Sequence, residues 1–400
     1  MKKAIGCLLC AALLCVLLNL YLALSTQETV QLPTQNYFIV ANYYNSESSL
    51  AYSLPQLTRL LSQLGSADNL YLSIFENGSD DHTVPLLKQF AQTLHIPYSV
   101  ITCNYTGSFI QQTANATQKE DFDLKRIVAR KRYPRMAALR NLAMRPLYEG
   151  KVTFRNAELP TKVLFINDIY FTAEQVVSLL STNEGAYDMV CGLDFYELFY
   201  DILVTRDVEG YWFVGYFPYA RHAPTRRAVM AGRPFPVYSC WNGMVVMAAE
   251  PFTQHNVRFR GRRYEPEERC ECVQSECLLV CSDFRSLGYD QIYINPQVRV
   301  TYQWTHHILY NSFLTPFYQW GQFFLAAFVF SSQAPTQGLG CGMPPYWTTE
   351  EAQYMPTVPG QCPLPFDPDR PALNYTLSDY MHEIHYASRY EERLVEECIG

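Results

Sequence analysis

Two polar residues follow directly on a short apolar run, where Asn167 and Asp168 come after Lys162-Val-Leu-Phe-Ile. The run is typical of a buried strand, so Asp168 is expected at its carboxyl end. A carboxylate near a buried sheet is costly unless a cation pairs with it. A divalent metal shared with a diphosphate would supply that cation. Alternatively, Asp168 is the N-cap of a helix that begins near Thr172.

A basic cluster without acidic residues precedes this strand. Its seven members are Arg126, Arg130, Lys131, Arg132, Arg135, Arg140 and Arg145. In a chain of net charge −7 they form a local positive field that suits a diphosphate. Arg140 is adjacent to Leu139 at the apolar edge of a helix predicted over 135–147, so we expect it to point inward together with Asn141. The other basic residues are predicted to form a solvated face.

A third set of polar and aromatic residues lies farther along the chain. It comprises Asp194, Trp241, Asn242, Gly243 and Glu276. Trp241-Asn242-Gly243 offers an aromatic face and an amide, which are the groups that hold a sugar ring. The two acids are flanked by small, apolar or cysteine residues, so burial is expected to shift their pKa values. Alternatively, Asp194 caps a helix and Glu276 pairs with an arginine of 258–263.

The elements that must position these residues alternate between strand and helix. Strands are predicted over 36–43, 69–75, 98–102 and 162–166, and helices over 49–64, 84–94 and 135–147. This alternation predicts an α/β fold with a mostly parallel central sheet and helices on both faces. In such sheets ligands bind beyond the carboxyl ends of the strands.

Composition excludes two classes of protein. The 400 residues are 48% hydrophobic, 14% aromatic and 17% charged, which excludes an intrinsically disordered chain. The net negative charge argues against a general nucleic-acid binder, so no nucleic-acid partner is expected.

The first residues predict a membrane anchor. Lys2 and Lys3 form a cytosolic tail of residues 1–3, and the apolar residues 4–24 would span about 30 Å as a helix. The positive-inside rule leaves the rest of the chain in the lumen, beginning with a short stem of 25–35. The alternative is a signal peptide cleaved near Ala23-Leu24-Ser25.

Cysteines and glycosylation sequons agree with a secretory route. Ten of the 13 cysteines lie beyond the apolar segment, an even number that suits disulfides. N-glycosylation sequons begin at Asn77, Asn104, Asn115 and Asn374. The spacing of Cys270, Cys272, Cys277 and Cys281 could suggest zinc, but disulfides are the favoured interpretation in an oxidising lumen.

Taken in order, these motifs resemble those of the fungal capsule-associated α-1,3-mannosyltransferases, glycosyltransferase family 69. The likeness covers about residues 36–305. It rests on Ser73-Ile-Phe-Glu76-Asn-Gly-Ser79-Asp, Leu139-Arg140-Asn141, Val163-Leu-Phe-Ile-Asn167-Asp168, Cys191-Gly-Leu-Asp194-Phe195, Ser239-Cys240-Trp241-Asn242-Gly243, Ser275-Glu276-Cys277 and Asn295-Pro-Gln-Val298 followed by Tyr302.

The resemblance implies a single GT-A-like catalytic domain over 36–310 in a single-pass type II Golgi membrane protein. It further implies GDP-mannose as donor, a mannose-containing glycan as acceptor, α-1,3 linkage with retention, and Mn²⁺ as the metal. Residues 311–400 are predicted to be a C-terminal extension, formed by a Pro-rich strap and a terminal helix from about residue 378 to 397.

Site roles follow from the resemblance by position. Asp168 is expected to bind the metal, although Asn167 replaces the first acid of an Asp-x-Asp motif; Asp194, His306 or His307 could complete the metal site. Arg140, Asn141 and Asn167 are expected to bind the donor, and Trp241, Asn242 and Gly243 the acceptor. Asp168, Glu276 and Asp194 are the candidate catalytic residues. The alternatives are a different nucleotide sugar, or a non-catalytic lumenal assembly factor for polysaccharide or glycan synthesis.

Overall fold

Ten strands of the described chain form a single sheet. The computed structural model describes residues 35–65, 68–103, 108–113, 116–121, 132–152, 154, 158–260 and 275–329. The strands are β1 Tyr37–Tyr43, β2 Leu70–Glu76, β3 Tyr98–Cys103, β4 Ser108–Thr113, β5 Thr117–Asp121, β6 Lys162–Ile166, β7 Met189–Phe195, β8 Phe235–Pro236, β9 Met244–Ala248 and β10 Ile292–Thr301. Their order across the sheet is β5-β4-β3-β2-β1-β6-β9-β7-β10-β8.

The sheet is mixed, so the prediction of a mostly parallel sheet is wrong. Four neighbouring pairs are parallel, including all those among β1, β2, β3 and β6. Five pairs are antiparallel. The difference arises because β9 inserts between β6 and β7 and runs antiparallel to both, while β4 and β5 extend one edge as a hairpin.

Helices cover both faces of the sheet, as the sequence predicted. They are α1 Glu47–Leu64, α2 Thr83–Gln92, α3 Arg132–Tyr148, α4 Ala173–Leu180, α5 Ala223–Met230, α6 Glu250–Gln254, α7 Glu276–Ser286, α8 Trp304–Tyr310 and α9 Thr315–Val329. Because side chains alternate along a strand, Phe38 and Val40 of β1 pack with α3 and α7. Tyr37, Ile39 and Ala41 pack with α1, α2 and α4 on the other face.

Several sequence predictions fall outside the described residues. They concern the apolar segment 4–24, the stem except for residue 35, the Pro-rich strap, the terminal helix, Cys270 and Cys272, and the sequons at Asn104, Asn115 and Asn374. Within the described ranges no helix is both long enough and apolar enough to cross a membrane. Asn77 is half-buried in the turn after β2. The described part of 311–400 contains α9, in which Gln319 donates to the Tyr219 hydroxyl at 3.3 Å.

Within the described residues, one disulfide links the middle of β7 to the chain that leads into β9. It joins Cys191 of β7 to Cys240, 49 residues away. Cys277 and Cys281 are instead buried free thiols in α7, which corrects the disulfide interpretation for these two residues. The Cys281 thiol donates to the carbonyl of Cys240 at 3.3 Å, because the helix directs it into the core rather than toward a second cysteine.

Candidate functional site

Asn167 and Asp168 directly follow β6, so they lie where the carboxyl ends of the central parallel strands meet; we call this the carboxyl edge of the sheet. The backbone N–H of Asn167 donates to the carbonyl of Gly243 at 2.9 Å, which extends the pairing of β6 with β9. The N-cap of α4 is Thr172, whose side chain accepts a hydrogen bond from the backbone of Gln175 in a capping box. Asp168 therefore does not cap α4, and that alternative interpretation is wrong.

Asp168 presents a carboxylate that accepts no hydrogen bond from another side chain of the described chain. Burial raises the pKa of Asp168, although the positive charge of nearby Arg140 acts in the opposite direction. Tyr43, at the end of β1, and Tyr302, after β10, are close enough for the Asp168 charge to contribute to their raised pKa values. The ends of three strands thus lie around one carboxylate to which no other side chain of the described residues donates.

Arg140 reaches this edge from α3 and is only 4% exposed. Its Nε donates to Glu276 Oε1 at 3.0 Å, and its Nη1 donates to Asn167 Oδ1 at 3.2 Å. The guanidinium lies 4.2 Å from the ring centroid of Trp241, a cation–π contact. These contacts fix the guanidinium plane and leave Nη2 without a hydrogen-bond partner among the described residues.

The inward position predicted for Arg140 is therefore confirmed, and it lies next to the Asn167-Asp168 pair. The ion pair predicted as an alternative for Glu276 does exist, and its partner is Arg140; of the arginines named in that alternative, Arg262 and Arg263 lie outside the described residues. Arg260 pairs instead with Asp283.

Both polar atoms of the Asn141 side-chain amide form hydrogen bonds within the protein. Its Nδ2 donates to the carbonyl of Phe259 at 2.7 Å, and its Oδ1 accepts from the Phe259 backbone N–H at 3.0 Å and from the Tyr148 hydroxyl at 3.2 Å. Asn141 thus connects α3 to the segment before residue 261. The donor-binding role predicted for it stays a prediction, since nothing in this arrangement presents its amide to a ligand.

Two acids, Asp194 and Asp201, form what we call the acidic group, and Asp201 is close enough to Arg140 for that charge to affect its pKa. Asp194 is completely buried, and its carboxylate accepts from the Tyr302 hydroxyl at 2.8 Å and from the backbone N–H of Asp201 at 3.2 Å. Burial and the charge of Asp201 raise the pKa of Asp194 far above its usual value. Asp194 is the sixth residue of β7, so it caps no helix.

Asp201 is an acid that the sequence analysis did not identify. Its Oδ2 accepts from the backbone N–H of Asn242 at 3.0 Å. Burial raises the pKa of Asp201 to about 6, with a further contribution from Glu276, while Arg140 and Arg206 act against the increase. Its position between apolar residues in Phe199-Tyr-Asp201-Ile-Leu was the available signal, the same signal that identified Asp194.

The predicted acceptor residues are enclosed in the fold. Trp241 is 2% exposed and packs edge-on against Phe165. Asn242 is fully buried, with its Nδ2 donating to the Gly192 carbonyl at 2.7 Å. A Cβ on Gly243, whose φ is +72°, would lie 3.1 Å from Ile169 Cγ2 and 3.2 Å from the Tyr302 hydroxyl. These residues bring β6, β7 and β10 together, and their acceptor role stays a prediction.

The residues at this edge fit a divalent metal that is shared with a ligand. In the described ranges no three His, Cys, Asp or Glu side chains group as a metal site. Asp168 is a carboxylate that accepts from no other described side chain, but the Asn167 oxygen already accepts from Arg140 and lies 3.4 Å from Trp241 Nε1. His307 lies against Tyr52, with its Nε2 3.2 Å from the hydroxyl. Asp168 would hold such a metal only together with oxygens of a bound diphosphate.

Comparison with known proteins gives related sequences and distant structures. Alpha-1,3-mannosyltransferase CMT1 of Cryptococcus neoformans var. neoformans serotype D is 26% identical over 283 residues, 67% of this chain and 58% of the relative. The chain therefore spans less than two thirds of that relative's length.

Two of the solved structures with similar chains are the mannosyltransferase PcManGT of Pyrobaculum calidifontis in complex with GDP-Man and Mn²⁺, and TarS 1-349 of S. aureus. PcManGT has 13% identity and a TM-score of 0.37, with 84% of this chain and 78% of that chain covered. TarS 1-349 has 13% identity and a TM-score of 0.34, with 74% and 72% covered.

A family match covers strands β1 to β9 and ends within α7. The family described as Cryptococcal mannosyltransferase 1 matches residues 36–283, more than half of the 400 residues. This range contains Arg140, Asn167, Asp168, Asp194 and Glu276. The chain belongs to the Cryptococcal mannosyltransferase 1 family.

Proposed function

We propose that the protein transfers mannose from GDP-mannose to a mannose-containing glycan in α-1,3 linkage, with Mn²⁺ and with retention of configuration. The observation that carries the proposal is that Arg140 donates to Asn167 at the carboxyl end of β6, close enough to the next residue, Asp168, for its charge to lower the pKa of that carboxyl. Family membership and the similarity to the Cryptococcus α-1,3-mannosyltransferase support mannosyl transfer.

Asp168 and Arg140 have different roles at the sugar–diphosphate bond of the donor. When bound, a divalent metal neutralises negative charge that develops on the leaving diphosphate. Asp168 would supply the anionic protein ligand of that metal. Because Glu276 and Asn167 hold Nε and Nη1 of Arg140, Nη2 remains to donate to a diphosphate oxygen without reorganisation.

Nucleotide binding and turnover test the proposal directly. The purified full-length protein is titrated with GDP and with UDP, each with and without Mn²⁺, and turnover is measured with GDP-mannose and several UDP-sugars. We expect Mn²⁺-dependent binding of GDP at least about tenfold tighter than that of UDP, and turnover of GDP-mannose. Selectivity for uridine would instead support a transferase with a different nucleotide sugar. Absence of nucleotide binding would support the non-catalytic assembly factor.

We also propose a single-pass type II location in the Golgi membrane, with the catalytic part in the lumen. The lysines before the apolar residues 4–24, the four sequons and the Cys191–Cys240 disulfide support it. In sealed microsomes protease should leave the lumenal part intact, and deglycosylation should lower its mass. The Asn77→Gln variant should lack one glycan. Digestion without detergent, or recovery of a soluble secreted form, would contradict the proposal.

A further inference from the structure

An exposed aromatic surface lies beside the acidic group. Tyr196 and Tyr200, in the loop that follows β7, are 43% and 51% exposed. Their ring centroids are 6.3 Å apart, and the Tyr200 ring is 5.0 Å from that of Tyr302. We call residues 196–201 the tyrosine loop. Adjacent exposed aromatic rings are typical of a binding surface, because their apolar faces gain from being covered.

The tyrosine loop is held in place by the body of the protein. The backbone N–H of Tyr200 donates to the carbonyl of Asp194 at 3.0 Å, and that of Phe199 donates to the carbonyl of Gly215 at 3.1 Å. The side-chain amide of Gln303 donates to the Tyr196 hydroxyl at 2.8 Å. The rings are therefore preorganised, which lowers the entropic cost of binding a ligand on them.

Asp201 is the last residue of the loop, and only one of its two carboxylate oxygens accepts a hydrogen bond from the described residues. The backbone N–H of Asn242 donates to Oδ2 at 3.0 Å. Oδ1 has no hydrogen-bond partner in the described chain, and the residue is half-buried. A carboxylate oxygen beside an apolar ring surface matches a pyranose, which has a C–H face and hydroxyl groups that donate.

The loop adjoins the proposed donor site. Arg140 and Glu276 are close enough to Asp201 for their charges to shift its pKa, Arg140 downward and Glu276 upward. Asn242, which holds Asp201, is followed by Gly243, whose carbonyl accepts from the N–H of Asn167 at 2.9 Å. A sugar on the tyrosine loop would thus lie next to a donor bound at Asp168. The predicted acceptor residues Trp241 and Asn242 are enclosed and offer no such surface.

We propose that the tyrosine loop binds the acceptor, an uncharged hexopyranoside of the mannoside class, with the Tyr200 ring under the sugar's C–H face and Asp201 Oδ1 accepting from its hydroxyls. The proposal rests on the proposed function, since it names the acceptor subsite of that same site.

Mannoside binding tests the subsite apart from the donor. Binding of methyl α-mannoside and of α-linked mannobiose to the full-length protein in detergent is measured by saturation-transfer NMR. Mn²⁺-dependent GDP affinity is measured in parallel. Tyr200→Ala is expected to weaken mannoside binding by about tenfold or more with GDP affinity unchanged, whereas Tyr200→Phe keeps the ring and should bind normally. Asp201→Asn should also weaken mannoside binding. Phe317→Ala, which removes an exposed ring of α9, is the control and should change neither.

The outcomes separate this proposal from the proposed function. Mannoside binding that is unchanged in Tyr200→Ala, or absent from a wild-type protein that binds GDP, overturns the subsite. Loss of mannoside binding in Phe317→Ala equal to that in Tyr200→Ala overturns it as well. A wild-type protein that binds neither GDP nor GDP-mannose refutes the proposed function, while the Tyr200 comparison still decides whether the loop binds the sugar.

Discussion

Asp168→Ala is expected to abolish turnover of GDP-mannose and to weaken Mn²⁺-dependent GDP binding by at least about a hundredfold, because the metal would lose its anionic protein ligand. The protein should fold normally. Burial raises the pKa of Asp168, so its charge is unfavourable in the folded protein, and the neutral side chain of Asp168→Asn should leave stability unchanged or slightly higher.

The measurement is GDP affinity with and without Mn²⁺, together with thermal unfolding of the same preparations. Asp290→Asn is a matched control, since Asp290 is an exposed acid just before β10 and therefore at the opposite edge of the sheet from Asp168. Full activity in Asp168→Ala would remove Asp168 from the metal role. Equal losses in the Asp290 control would indicate a nonspecific effect of charge.

Arg140→Ala is expected to lower the free energy of unfolding by about 3–5 kcal/mol, since it leaves the buried carboxylate of Glu276 without its ion pair. For a domain of this size the loss corresponds to about 10 °C in Tm. The affinity for the donor should fall as well. At low salt, this loss should be larger in Arg140→Ala than in Arg132→Ala. Arg145→Ala, on the same helix, removes a partly exposed pair with Glu149 and should cost less than about 1 kcal/mol.

A double variant separates the two effects of Arg140. Arg140→Met with Glu276→Gln removes both buried charges and should recover most of the stability lost in Arg140→Ala. It should not recover GDP affinity, because the guanidinium that meets the diphosphate is still absent. Recovery of GDP affinity together with stability would show that Arg140 acts only through the fold. Equal salt-dependent losses of donor affinity in Arg140→Ala and Arg132→Ala would contradict a specific role of Arg140 in binding the diphosphate.

The parts of the fold governed by local pattern could be predicted from sequence. The apolar run of β6 lies at Lys162–Ile166, the predicted range. The helix predicted over 135–147 corresponds to α3, and Arg140 points inward because it borders the apolar stripe of that helix. Asn167 and Asp168 follow the strand as expected, because a five-residue buried run leaves little freedom in where the chain emerges.

The parts governed by distant contacts could not be predicted. Glu276 lies 136 residues from Arg140 in sequence, and no local pattern selects that arginine over those of 258–263. The antiparallel insertion of β9 depends on pairing with both β6 and β7, which periodicity does not encode. Trp241-Asn242-Gly243 has the composition of a sugar-binding motif, yet tertiary packing places its side chains in the interior.

The Cys191–Cys240 bond has a consequence for how this molecule matures. It closes a ring of 49 residues that includes Asp194, Tyr200 and Asp201. Closing a ring of this length removes about 4 kcal/mol of chain entropy from the unfolded protein, on the simplest polymer estimate. Oxidation of one cysteine pair therefore narrows the conformations available to Asp194 and the tyrosine loop in the unfolded chain, so the folding of this segment depends on whether the new chain has been oxidised.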